Sequence, residues 1–124
     1  MKKYILIVCL SIAGIFKAQT SKELIGKWQL VETQVNSQPK DIKSTFGSDK
    51  VLQNFKEDSG FEAVIGGKTS KGKWELTKEN DVQILNIKVG KNVTKFKVDY
   101  FDANKRTISF LNNGNNISLT YKKI

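Results

Sequence analysis

The chain has 124 residues and a formal charge of +9, from 21 Lys and Arg against 12 Asp and Glu, with no His and one Cys. That length holds a single domain. Without His, and with Cys9 alone, the commonest general base, the usual nucleophilic dyads and the soft or borderline metal sites are all missing; the composition argues against an enzyme and against a metal or other cofactor.

Residues 1–19, MKKYILIVCLSIAGIFKAQ, have the layout of a cleaved secretory signal: Lys2 and Lys3, an apolar run from Tyr4 to Phe16, then Ala18. The run of about 13 residues is shorter than the roughly 20 needed to span a bilayer, so no membrane span is expected. Cys9 follows Val8 and the apolar stretch continues past it, which fits an ordinary signal residue rather than a lipid anchor. The expectation is an exported protein, periplasmic or secreted, whose domain covers 20–124. Loss of Lys2, Lys3 and Lys17 with the signal leaves a charge of +6 and no cysteine. A disulfide-free exported domain must be held by its core.

Thr20 and Glu23 have capping-box spacing, which predicts one helical turn leading into Gly26. Strand patterns then follow over Lys27–Gln34, Lys50–Lys56, Gly60–Ile65, Ser70–Thr77, Val82–Val89, Val93–Phe101, Thr107–Leu111 and Ile117–Lys122. Short links rich in Gly and Asn join them, as tight hairpins with positive φ require. Asp102-Ala103-Asn104-Lys105 reads as one of these, and Arg106 as a turn residue before the seventh strand. Only Val35–Asp49 is long, and it holds the sole proline, Pro39. Eight consecutive hairpin-linked strands predict an all-β, eight-stranded antiparallel up-and-down barrel.

Period-two alternation assigns an inward face to Trp28 and Leu30, to Val51 and Phe55, to Phe61, Ala63 and Ile65, and to Trp74 and Leu76. Phe96, Val98 and Tyr100, then Ile108 and Phe110, then Ile117, Leu119 and Tyr121 complete it. The strand Val82–Val89 is apolar on both faces; its inward set is either Val82 and Ile84 or Leu85, Ile87 and Val89, with a bulge as a third option.

Both Trp residues sit in near-identical pentapeptides, GKWQL at 26–30 and GKWEL at 72–76. Nothing beyond them aligns, so they are not a duplication. They read as two solutions to one packing problem, with Lys to solvent and Trp inside. Acidic pairs such as Glu57-Asp58 fall in turns and read as solvated turn residues. Lys71, Lys73, Lys88, Lys91, Lys95 and Lys97 form a basic stripe, but Arg106 is the only Arg. The aromatics lie on the opposite face from that stripe, where nucleic-acid stacking cannot use them. No nucleic-acid partner is expected.

Gly26-Lys27-Trp28, directly after a helical turn, resembles the G-x-W signature that opens the first strand of lipocalins. Phe55–Leu76 (FKEDSGFEAVIGGKTSKGKWEL) and Ile117–Lys123 (ISLTYKK) resemble segments of the short bacterial lipocalin-like domains. The resemblance covers nearly all of 20–124 and implies a lipocalin-like barrel, with Gly26 and Trp28 as a plug closing one end. In that family a late Arg packs over the Trp; the turn assignment of Arg106 leaves that role unfilled. The function implied is binding of a small hydrophobic or amphipathic ligand, with Phe55, Phe61, Trp74, Phe96, Tyr100, Phe110 and Tyr121 as candidate lining residues. Those side chains are bulky, so the rival reading is a filled barrel acting as a structural or protein-interaction module of the cell envelope.

Overall fold

Thr20 begins its turn as the capping-box spacing requires. Its backbone N–H donates to Glu23 Oε1 at 3.3 Å, and the Glu23 N–H donates to Thr20 Oγ1 at 3.2 Å. The structure, a computed structural model, describes residues 20–124; the signal expected at 1–19 lies outside the described residues. The elements are α1 (Ser21–Leu24), β1 (Gly26–Val35), β2 (Gln38–Lys40), α2 (Ile42–Phe46), β3 (Val51–Phe55), β4 (Gly60–Ile65), β5 (Lys68–Glu79), β6 (Val82–Val89), β7 (Asn92–Phe101), β8 (Lys105–Asn112) and β9 (Asn115–Lys123). Among the described residues no helix is long and apolar enough to cross a membrane.

β1 pairs with β3, each later strand pairs with the next, and β9 returns to β1, every pairing antiparallel. The result is a closed eight-stranded up-and-down barrel, with β2 as a short flap on the end of β1. Asn36-Ser37, Asn80-Asp81 and Asn113-Gly114 hold the positive φ angles of two-residue hairpin turns. The long link, to which the sequence assigned no element, contains both β2 and α2. Asp41 caps α2 by accepting from the Ser44 N–H at 2.9 Å, and Gly47, with φ 81°, ends it.

Two bulges decide which side chains face inward. In β7, Val98 lies opposite Ile108 and Tyr100 opposite Thr107, so Asp99 is an extra residue. The alternation Phe96, Val98 therefore resumes at Phe101. Tyr100, expected inside, points outward and is 49% exposed. In β1 the register shifts between Leu30 and Glu32, which puts Val31 outside and Thr33 inside. β6 has no such shift: its inward residues are Leu85, Ile87 and Val89, opposite Leu76, Trp74 and Asn92.

Arg106 is the second correction. The Asn104 and Lys105 N–H groups both donate to Asp102 Oδ1 at 2.8 Å, which tightens the turn enough for β8 to start at Lys105. Arg106 thereby joins the inward alternation of Ile108 and Phe110, opposite Tyr121, and is completely buried.

β5 pairs with β4 through its first half, up to Lys73, and with β6 through its second half, from Lys73 onward. At the crossover an ideal Cβ on Gly72 would sit 2.0 Å from the Lys88 carbonyl oxygen. Gly here permits one backbone to approach another. Gly72→Ala is expected to cost about 2 kcal/mol or more in denaturant unfolding, by forcing this crossing apart. Gly67→Ala, where a Cβ meets nothing within 4 Å, is expected to cost under about 0.5 kcal/mol. Equal midpoints for the two variants would contradict this account of the crossing.

Candidate binding site

The barrel has two unlike ends. One carries α1, the links 56–59, 80–81 and 102–104, and the C-terminal residues. Trp28 closes it: the ring is fully buried and Nε1 donates to the Leu24 carbonyl at 2.9 Å. Gly26 precedes it at φ +130°, and a Cβ there would lie 2.9 Å from Lys123 Cε. That position is strained for an L side chain and crowded by the lysine, which is why the strand opens on Gly. Lys123 Nζ in turn donates to the carbonyls of Glu23 and Ile25 at 3.1 and 2.9 Å and lies 5.3 Å from the Trp28 ring centroid.

Above Trp28 sits the Arg106 guanidinium. Its Cζ is 4.8 Å from the Trp28 ring, 4.9 Å from Phe55 and 4.7 Å from Tyr121. Nη2 donates to Gln53 Oε1, while Nε and Nη1 have no partner among the described residues. None of the ion pairs among the described residues involves Arg106. Burial pulls its pKa down to about 10, a neighbouring Tyr121 opposing, so it stays cationic at neutral pH. Burial pushes Tyr121 up to about 12, with Arg106 opposing. Three aromatic faces replace part of the lost hydration of the cation.

Beyond this plug the interior opens into a cavity of about 380 Å³. It runs from Gln53 and Tyr121 to Asn92 and to Thr45 and Phe46 at α2. Its walls are apolar: Val51, Ile87, Val89 and Leu119 with Phe61, Phe96 and Phe110, the last two packed edge-on at 5.2 Å. Thr33 also lines it, 1% exposed, with Oγ1 unpartnered.

Of the residues expected to line a site, Phe61, Phe96, Phe110 and Tyr121 do so. Phe55 and Trp74 do not. Phe55 lies beneath, against Arg106, Phe61 at 5.1 Å and Trp74 at 5.8 Å. Trp74 is tied down by Nε1 donating to the Lys56 carbonyl at 3.0 Å. Tyr100 is outside, its hydroxyl donating to Asp102 Oδ2 at 2.7 Å, which raises its own pKa and lowers that of Asp102. The sequence reading missed Gln53, Thr33 and Phe46. Gln53 stands between Val51 and Phe55 on the inward alternation, a signal that was present. Thr33 reaches the interior only through the β1 bulge.

The buried pair sets an alkaline prediction. Tyr121 has a folded pKa near 12, above the usual 10. Its contribution is thus fully present below about pH 10 and is lost as pH rises toward 12. Arg106 runs the other way: its folded pKa near 10 lies below the ordinary 12.5, so the cost of burying its charge eases above pH 10. Tyr121→Phe removes the first effect, together with the opposition that Tyr121 offers to the Arg106 shift. The stability of the unaltered protein relative to this variant should fall by on the order of 2 kcal/mol between pH 10 and 12, read by denaturant unfolding at both ends. A constant difference would mean that Tyr121 is not held in a dry site.

Comparison of the chain with protein-family models and with curated proteins finds no match to either. What stands is the geometry: a closed eight-stranded antiparallel barrel, compatible with a lipocalin-like fold, plugged at one end and hollow toward the other.

Proposed function

We propose that the chain is an exported, lipocalin-like binding protein that holds a small apolar or amphipathic molecule inside the barrel. The observation that carries this is the apolar-walled cavity of about 380 Å³. It lies within the range of about 300–1,000 Å³ typical of small-molecule sites, and equals roughly a dozen waters at about 30 Å³ each. A wet cavity of that size would need many polar partners, and these walls offer few. Of the heavy side chains that favoured a filled barrel, Phe55 and Trp74 lie below the floor, Tyr121 sits at it beside Arg106, Tyr100 is outside, and Phe61, Phe96 and Phe110 stand in the walls without filling the space between them. Export rests on the layout of residues 1–19. The lipocalin likeness rests on Gly26-Lys27-Trp28, the barrel topology and the burial of Arg106 against Trp28.

The test uses protein recovered from outside the cytoplasm. Its intact mass should correspond to a chain starting at or just after Gln19. Titration with a fluorescent apolar probe should give saturable binding with one site. Ala63 lines the cavity, and Ala63→Phe should fill it, weakening the probe at least about tenfold while the unfolding midpoint holds or rises. Unchanged probe affinity in Ala63→Phe would place any binding elsewhere and revive the filled-barrel reading. A recovered chain still carrying Met1 would contradict cleavage after residues 1–19, and failure to recover the protein outside the cytoplasm would remove export.

A further inference from the structure

The polar chemistry below the cavity is one-sided. The Arg106 cation lies under the floor without a carboxylate, two of its nitrogens unpartnered. The one acceptor it uses is Gln53 Oε1. That bond fixes the Gln53 amide: the oxygen is committed to Arg106, and the –NH₂ remains as the donor of a side chain that lines the cavity. Thr33 adds a buried hydroxyl with no partner. Among the described residues no Asp or Glu lines this cavity. The floor therefore supplies donors and positive potential, and its amide acceptor is already spent; the other lining amide, Asn92, stands at the far end of the cavity.

The outer charges repeat the asymmetry. Around the open end stand the exposed Lys40, Lys43, Lys50, Lys68 and Lys91, against Asp41 and Asp49. The three hairpin links of the closed end carry Glu57, Asp58, Asp81 and Asp102 against Lys56. A field of this sense draws anions toward the mouth.

Resting on the binding reading above, we infer that the cavity selects an amphiphile with a carboxylate head and an apolar tail, bound head inward, the head accepting from the Gln53 amide and the Thr33 hydroxyl above the Arg106 charge. Desolvating a carboxylate is costly. Here the cost is offset because the anion supplies the partner that a lone buried cation lacks, and because hydrogen bonds to an ionised head are the strong ones. The tail then fills the apolar upper walls.

Calorimetric titration of the protein at pH 8 with dodecanoate, dodecanol and dodecyltrimethylammonium tests this. The head-group series on the unaltered protein stands whether or not any variant folds. Dodecanoate should bind at least about tenfold tighter than dodecanol, and the ammonium weakest. Gln53→Leu combined with Thr33→Val should reduce dodecanoate to the level of dodecanol. Lys43→Glu combined with Lys91→Glu should slow dodecanoate association and leave its preference over dodecanol in place. Dodecanol binding as tightly as dodecanoate overturns the inference and leaves the binding reading standing. So does a preference that survives the Gln53 and Thr33 changes but vanishes with the Lys43 and Lys91 changes, because the head would then sit at the rim. Binding of none of the three removes both.

Discussion

A single arginine buried among three aromatic rings organises this molecule. Arg106 carries a charge into the barrel with no acidic partner, an arrangement that costs several kcal/mol by itself. Trp28, Phe55 and Tyr121 surround it at under 5 Å from ring centroid to guanidinium carbon, and Gln53 takes one of its N–H groups. Contacts of a desolvated cation with aromatic faces are worth about 2 kcal/mol or more, so the site is stable only while all of its walls are present. Those walls come from β1, β3 and β9, around an arginine carried by β8. The arginine thus joins both neighbours of β1, the strand through which the barrel closes.

That demand accounts for where the interior is full and where it is empty. Rings large enough to surround a guanidinium are concentrated low, with Trp74 and Phe61 packed behind Phe55. The upper layers hold Val51, Ala63, Val89 and Ile117, which are too small to meet across an eight-stranded barrel, while Phe96 and Phe110 pack on each other along the wall. α2, seated beside β1 at this end with Phe46 turned to the cavity, covers part of the opening. The stable end and the receptive end are thus separated along one axis, with Gln53 and Tyr121 at the boundary.

The fold was largely legible in the sequence because its signals are local. Alternation in β3, β4 and β9, and Asn or Gly at the turns, place strands without reference to the rest of the chain. Depth was not legible. Alternation tells which face Phe55 and Phe61 share, but not that one lies under the floor and the other in the wall. The single extra residue Asp99 reversed Tyr100, because a bulge is set by pairing with β8 and leaves no mark in the strand's own pattern. Arg106 was hidden by composition, since a charged residue after Asp-Ala-Asn-Lys reads as turn. Its position two residues before Ile108 was the available clue. The segment Asp41-Ile-Lys-Ser-Thr-Phe-Gly47 held a cap and a stop for α2, masked by the proline just before it.

The most direct test is a double-mutant cycle on Arg106 and Trp28. Arg106→Met keeps length and apolar stem without charge; Trp28→Phe keeps a ring with a smaller face. Unfolding free energies of the two single variants, the double variant and the unaltered protein isolate the pair's own interaction. A favourable coupling of about 1–2 kcal/mol is expected for a desolvated cation on an indole face. Additivity within about 0.3 kcal/mol would contradict the account, leaving Arg106 a buried charge that the plug tolerates rather than the group that holds it together.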